Sequence, residues 1–221
     1  MKKDNISRIL IVDDHPVVRL GITQLISEEP DLQVVADAER PQEAMKRLKE
    51  GDIDMTIVDL SLEGGSGLDL VGEIKRLYPE MPVLVLSMHD ESLYAERSLR
   101  AGASGYVMKQ AGTETLIKAI RKVLKGIIYL SDDMVNIFLS KASGGRTADV
   151  HKISIQSLSN RELEVFELLG KGMGTKQVAD SLGLSVKTIE TYRSNIKSKL
   201  GMSSSSQLLK EAAVWVNSLK D

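Results

Sequence analysis

Between residues 8 and 125, short runs of aliphatic and β-branched residues alternate five times with longer stretches whose apolar positions recur at helical spacing. The runs are 8–12, 32–36, 55–59, 83–87 and 105–108. Their near-continuous apolarity predicts strands covered on both faces, as in a parallel sheet with helices packed on each side. The longer stretches predict helices at about 16–28, 41–50, 66–78, 91–101 and 112–125. Pro16 and Pro41 fall at first-turn positions, where a missing N–H costs nothing. Such a series needs right-handed crossovers and gives a (βα)5 α/β fold, a doubly wound parallel sheet that binds ligands at the carboxyl ends of its strands.

The pattern changes after Gly126. A short helix is predicted over 132–141, followed by Ala-Ser-Gly-Gly-Arg-Thr-Ala-Asp-Val over 142–150, which has the composition of a linker. Beyond Leu158 no strand-like run occurs, and helices are predicted at about 160–170, 175–182, 186–200 and 205–219. Ser159 and Glu162 fit a capping box, and Gly201 sits where a helix-terminating glycine belongs. The expected organisation is an α/β domain over 1–127, a short helix plus linker over 128–155, and an all-α four-helix domain over 156–221.

Composition narrows the chemistry. With 42% hydrophobic and 27% charged residues in 221, the chain is ordinary globular material. It has no cysteine, which excludes disulfide scaffolds, thiolate zinc sites and cysteine nucleophiles, and its three histidines are too scattered for a histidine-based metal site. No apolar run approaches the ~18 residues of a membrane span, and the first residues lack a signal h-region. A cytoplasmic protein without a membrane partner is expected. The net charge of −2 hides an asymmetry: residues 1–130 carry 17 Lys and Arg against 21 Asp and Glu, whereas 131–221 carry 12 against 10.

Three carboxylates fall at predicted strand ends, Asp13 and Asp14 after the first strand and Asp59 closing the third. If those strands are neighbours, the acids converge on one concavity at the carboxyl edge. A hard divalent cation such as Mg2+ would relieve their repulsion and hold a phosphoryl group beside them. An aspartate so placed can attack phosphorus and form an acyl phosphate. Ser87 ends the fourth strand and Lys109 follows the fifth, which brings a hydroxyl donor and an ammonium to the same edge as partners for phosphoryl oxygens. Glu63-Gly-Gly-Ser-Gly67 lacks the spacing of a phosphate-binding loop and reads as a turn before a helix.

In the helical part, 175–182 followed by a Gly-Leu-Ser turn and 186–200 has the shape of a helix-turn-helix. Ile189, Ile196 and Leu200 recur at core spacing, which leaves short polar groups and cations outward. Glu190, Thr191 and Ser194 are the candidates for base edges. Lys176, Lys187, Thr188, Tyr192, Arg193 and Lys197 are the candidates for phosphates.

Ile-Val-Asp13-Asp14-His-Pro, Val-Asp59-Leu-Ser-Leu, Leu-Ser87-Met-His and Gly-Tyr106-Val-Met-Lys109 resemble, in order and spacing, the motifs of the response-regulator receiver domain over residues 7 to about 125. The resemblance implies that Asp59 accepts a phosphoryl group from a sensor histidine kinase. It implies that Asp13, Asp14, Asp59 and the backbone carbonyl of Ser61 hold Mg2+, that Ser87 and Lys109 read the phosphate, and that Tyr106 is an aromatic switch. Many receivers place proline after the lysine; this chain has Gln110, which leaves the loop there unassigned. Leu158-Ser-Asn-Arg-Glu-Leu-Glu-Val, Gly-Thr-Lys-Gln-Val-Ala179, Ser-Val-Lys-Thr-Ile-Glu-Thr-Tyr192 and Lys199-Leu-Gly201 resemble the LuxR-type helix-turn-helix domain over about 156–217. That likeness implies promoter DNA and RNA polymerase as partners, and a homodimer contact through Leu208, Ala212 and Val216 of the last helix. The same spacing also suits a core, where Trp215 is assigned.

Together these imply a two-component response regulator that controls transcription as a dimer. Two rivals fit part of the sequence. One is a DNA-binding regulator independent of phosphorylation. The other is a Mg2+-dependent phosphohydrolase working through an aspartyl phosphate, but haloacid-dehalogenase enzymes place a second acid two residues after the nucleophile, where this chain has Ser61.

Overall fold

The computed structural model describes residues 6–142, 155 and 157–218. The predicted linker, 142–150, lies outside the described residues apart from Ala142. The chain divides into two compact units, the first ending at Ala142. Among the described residues, no helix is long and apolar enough to cross a membrane.

The first unit is built on five parallel strands, β1 (Ser7–Val12), β2 (Leu32–Ala38), β3 (Met55–Val58), β6 (Val83–Ser87) and β7 (Gly105–Met108), in the order β2-β1-β3-β6-β7. The sheet is doubly wound, as the alternating pattern predicts, and this order makes β1 and β3 neighbours. A two-residue ribbon, β4 (Ser61–Leu62) with β5 (Gly65–Ser66), follows β3. The helices are α1 (Pro16–Ser27), α2 (Pro41–Glu50), α3 (Gly67–Leu77), α4 (Glu91–Arg100) and α5 (Thr113–Leu124). One core gathers Ile9, Ile11, Met55, Ile57, Leu84, Leu86 and Val107 against Ile22 and Ile26 of α1 and Leu116, Ile120 and Val123 of α5. Alternation along the strands sends Leu10, Val12, Val58 and Val85 to the opposite face, and these too are buried.

The structure departs from the sequence pattern at β2 and at α1. The second strand runs two residues further than its apolar run, through Asp37 to Ala38, because its backbone stays paired with β1 up to Val12↔Ala38. And α1 buries Arg19 while exposing Val17 and Leu20 to 81% and 72%.

After α5 the chain returns along the outer edge of β7. Tyr106 N–H donates to the Tyr129 carbonyl (2.9 Å) and Tyr129 N–H to that of Ser104 (3.0 Å), which forms a parallel bridge between Gly105 and Tyr129. A Cβ on Gly105 would lie 2.8 Å from the Tyr129 oxygen, so glycine permits the approach. The following helix, α6 (Asp132–Ala142), packs with α4, and Ser131 N–H donates to the Glu91 carboxylate at 3.0 Å.

The second unit is all helical, with α7 (Asn160–Gly170), α8 (Thr175–Ser181), α9 (Val186–Lys199) and α10 (Ser205–Asn217). The capping box at Ser159 and Glu162 forms as expected. Gly201, with φ of 66°, follows α9. α7 and α10 pack together, with the Phe166 and Trp215 rings 5.3 Å apart.

Candidate functional site

Strand register builds the acidic cluster. Val12 pairs with Val58, so the residues that follow them, Asp13 and Asp59, emerge side by side, and Asp59 N–H donates to the Val12 carbonyl at 2.8 Å. On the other flank Ser87 pairs with Met108, and Lys109 N–H donates to the Ser87 carbonyl at 2.8 Å. The four strand ends therefore meet at one edge. The Lys109 ammonium, 9% exposed, lies 2.6 Å from an Asp13 oxygen and 2.7 Å from an Asp59 oxygen, both carboxylates being almost fully buried. The loop after Lys109 closes with a hydrogen bond from Ala111 N–H to the Met108 carbonyl (2.9 Å), so Gln110 leaves the reach of the lysine intact.

The other oxygens are fixed by backbone. Asp59 Oδ1 accepts from Leu60 N–H (2.7 Å), and Asp13 Oδ1 from His15 N–H (2.8 Å). Where α3 starts, a Cβ on Gly67 would fall 1.9 Å from the Asp59 carbonyl, so only glycine lets that helix close against the acid's main chain. Burial pushes the Asp59 carboxyl above its ordinary range, an effect that Lys109 only partly offsets. For Lys109, burial lowers the ammonium, but Asp59 and Asp13 outweigh it and the net shift is upward.

Ligand atoms of Asp13, Asp14, His15 and Asp59 all lie within 4.8 Å of one another. Asp14 Oδ1 is buried and accepts no hydrogen bond; His15 Nδ1, 2.6 Å away, stands off donor geometry. Asp13 and Asp59 share one ammonium, and the third carboxylate, Asp14, has an oxygen buried without a hydrogen-bond donor. That donor set fits a hard divalent cation. His15 at this position is an addition to the acids singled out by the sequence, and its adjacency to Asp14 was the signal available.

Ser61, Ser87 and Tyr106 meet at His89. Ser61 Oγ and His89 Nε2 are 2.9 Å apart, His89 N–H donates to Ser87 Oγ (3.2 Å), and the buried Tyr106 hydroxyl donates to the His89 carbonyl (2.8 Å). Burial raises the Tyr106 phenol well above 10. Sequence reasoning did not single out His89, which sits in an irregular segment without a periodic signal.

In the second unit, Ser185 caps α9 by accepting from Thr188 N–H at 3.1 Å, and its hydroxyl pairs with that of Thr188 at 2.8 Å. Lys176, Lys187, Glu190, Thr191 and Ser194 are exposed, and Thr188, Tyr192 and Lys197 are half-buried. Arg193, placed among the phosphate candidates, also donates to Thr175 Oγ1 and to Glu190 Oε1 (3.0 Å), so its mostly buried guanidinium ties α9 to α8 as well. One expectation needs correction. Leu208, Ala212 and Val216, expected at a dimer contact, are buried in this unit's own core and offer no side-chain surface to a second copy. The apolar side chains that α10 exposes are Leu209 and Val214.

Residues 9–121 match the response regulator receiver domain and residues 156–212 the luxR family of bacterial regulatory proteins. The chain belongs to the two-component response regulators that join a receiver to a LuxR-type DNA-binding domain. It is 40% identical over 212 residues to the oxygen regulatory protein NreC of Staphylococcus aureus, covering 93% of this chain and 96% of that protein. Among solved structures, it resembles RcsB of Salmonella enterica serovar Typhimurium bound to promoter DNA with a phosphomimetic. That match has a TM-score of 0.63 and 27% identity, over 95% of this chain and 100% of that one. A LuxR-family response regulator from Aurantimonas sp. is 34% identical, with a TM-score of 0.58, over 62% of this chain and 99% of that one.

Proposed function

We propose that Asp59 is the phosphoacceptor, that Asp13, Asp14, Asp59 and the Ser61 carbonyl hold Mg2+, and that the phosphorylated chain regulates promoters as a homodimer in the cytoplasm. The carrying observation is the Lys109 ammonium within 2.7 Å of both Asp13 and Asp59 at the carboxyl edge of the sheet. An Asp59 carboxylate oxygen attacks phosphorus; the P–N bond to the histidine of the sensor kinase breaks, and the departing imidazole takes up a proton. Bound Mg2+ supplies charge neutralisation for the transferring oxygens. Lys109 turns from the carboxylates to the new phosphoryl oxygens. Ser87 Oγ turns to donate to them, and its movement toward the phosphate pulls on the His89 N–H from which it accepts.

Tyr106 is held inward by the His89 carbonyl, so rearrangement of the Ser87 to His89 segment reaches the switch residue and the start of α4. In the second unit, Thr191, Ser194 and Glu190 face base edges, while Lys176, Lys187, Lys197, Thr188 and Tyr192 meet phosphates. An RcsB structure bound to promoter DNA, and another with two RcsB dimers on two parallel DNAs, support this reading by similarity. RNA polymerase is the downstream partner that a promoter-bound regulator would address.

The test combines intact mass and DNA selection. With a small-molecule phosphodonor and Mg2+, the protein gains one phosphoryl mass that Asp59→Asn does not. The phosphorylated form then selects two half-sites from random DNA. A protein that selects DNA equally well with and without the donor is the phosphorylation-independent regulator instead.

A further inference from the structure

We propose that Arg19 is a positioning residue for the Asp13–Asp14 pair, holding the peptide between these acids in the orientation a divalent cation requires. The inference rests on the metal reading above and adds a residue to it. Arg19 lies one turn into α1, yet only 11% of its side chain is exposed, while apolar Val17 and Leu20 on the same helix face solvent. Burying a guanidinium and exposing two aliphatic side chains runs against transfer energetics unless the charge is tied down by specific partners.

The partners are three, one for each nitrogen. Nη1 donates to the Asp13 carbonyl oxygen at 2.6 Å, Nε to Asp37 Oδ2 at 3.0 Å, and Nη2 to the Glu39 carboxylate. The Asp13 carbonyl belongs to the peptide that joins Asp13 to Asp14, so rotating it moves both carboxylates. The same turn is gripped from its other side, because Asp13 N–H donates to the Ala38 carbonyl at 3.1 Å, between Asp37 and Glu39. The end of β2 is thus a bracket, and Arg19 is the cross-piece that fixes the ligand-bearing turn to it. This accounts for the extension of β2 through Asp37. Lysine cannot replace the cross-piece, since a single ammonium lacks the planar fork that spans three fixed acceptors. Partners that orient metal ligands typically change metal affinity 10–100-fold when removed.

A purely fold-stabilising ion network is the competing role, and the chain contains a control for it. Arg121 on α5 makes a comparable multivalent pairing with Glu29 and Asp31, just before β2, at the opposite edge of the sheet from the acids. Mg2+ binding to the full chain is measured by isothermal titration calorimetry, alongside melting in metal-free buffer, for the parent, Arg19→Met, Arg19→Lys and Arg121→Met. The expected result is a 10–100-fold loss of Mg2+ affinity in both Arg19 variants, with Arg121→Met within about twofold of the parent although its melting point also falls. The lysine variant keeps the charge, so its loss assigns the effect to geometry, and it carries the test if the methionine variant does not fold. Unchanged Mg2+ affinity in a folded Arg19→Lys overturns the proposal and leaves Arg19 a structural residue. A parent that binds no Mg2+ overturns the metal reading itself.

Discussion

Asp59 is held where its charge is unwelcome: burial raises its carboxyl above the ordinary range even with Lys109 at 2.7 Å. An acid whose folded pKa exceeds its unfolded one is destabilising once ionised, and the penalty grows as pH rises through the folded value. Asp59→Asn is therefore expected to raise the melting temperature at neutral pH in metal-free buffer, by ~2–4 °C per kcal/mol relieved, as read by calorimetry. Adding Mg2+ narrows the gap, because only the parent gains from the ion. The acids, Ser87 and Lys109 are legible in sequence because each sits at the end of an apolar run, and topology gathers such ends. Arg19 and His89 are not. An arginine on an amphipathic helix reads as solvated, and a loop histidine has no period to betray its contacts.

At the scale of elements, caps and periods carry most of the legible information. The α7 capping box is one case, and its acid gives a pH dependence. Burial pushes Glu162 up, but Lys199 at 2.6 Å and Ser159 outweigh it, so the net shift is downward. Its stabilisation is full above the ordinary glutamate value of about 4.3 and is lost as pH falls through the lower folded value. Ser159→Ala should cost ~1 kcal/mol in urea unfolding followed by fluorescence of Trp215, the single tryptophan. In the same helical unit, Lys187→Ala should reduce the salt slope of DNA binding by about 1, measured by fluorescence anisotropy across salt concentrations. Arg193→Ala should weaken binding with less change in slope, since its guanidinium braces α8 against α9. Spacing alone misplaces the α10 residues because the same period serves a core and a partner; only packing decides which.

For the molecule as a whole, the doubly wound parallel sheet follows from alternation and handedness, while its strand order is read only from the structure, and the two-unit organisation follows from the change of period after Gly126. What the pattern does not disclose is the backbone that returns past Gly105 and lies along β7. Without it, the outer rim of β7 would present bare main-chain donors and acceptors to any extended segment nearby. A fragment ending at residue 127 strips that cover away, whereas one ending at 142 retains it. Light scattering should find the shorter fragment self-associated and the longer one monodisperse in the absence of phosphodonor. The tail that leads toward the DNA reader thus also serves as selvedge, the woven border that stops the cloth of the sheet from catching on its neighbours.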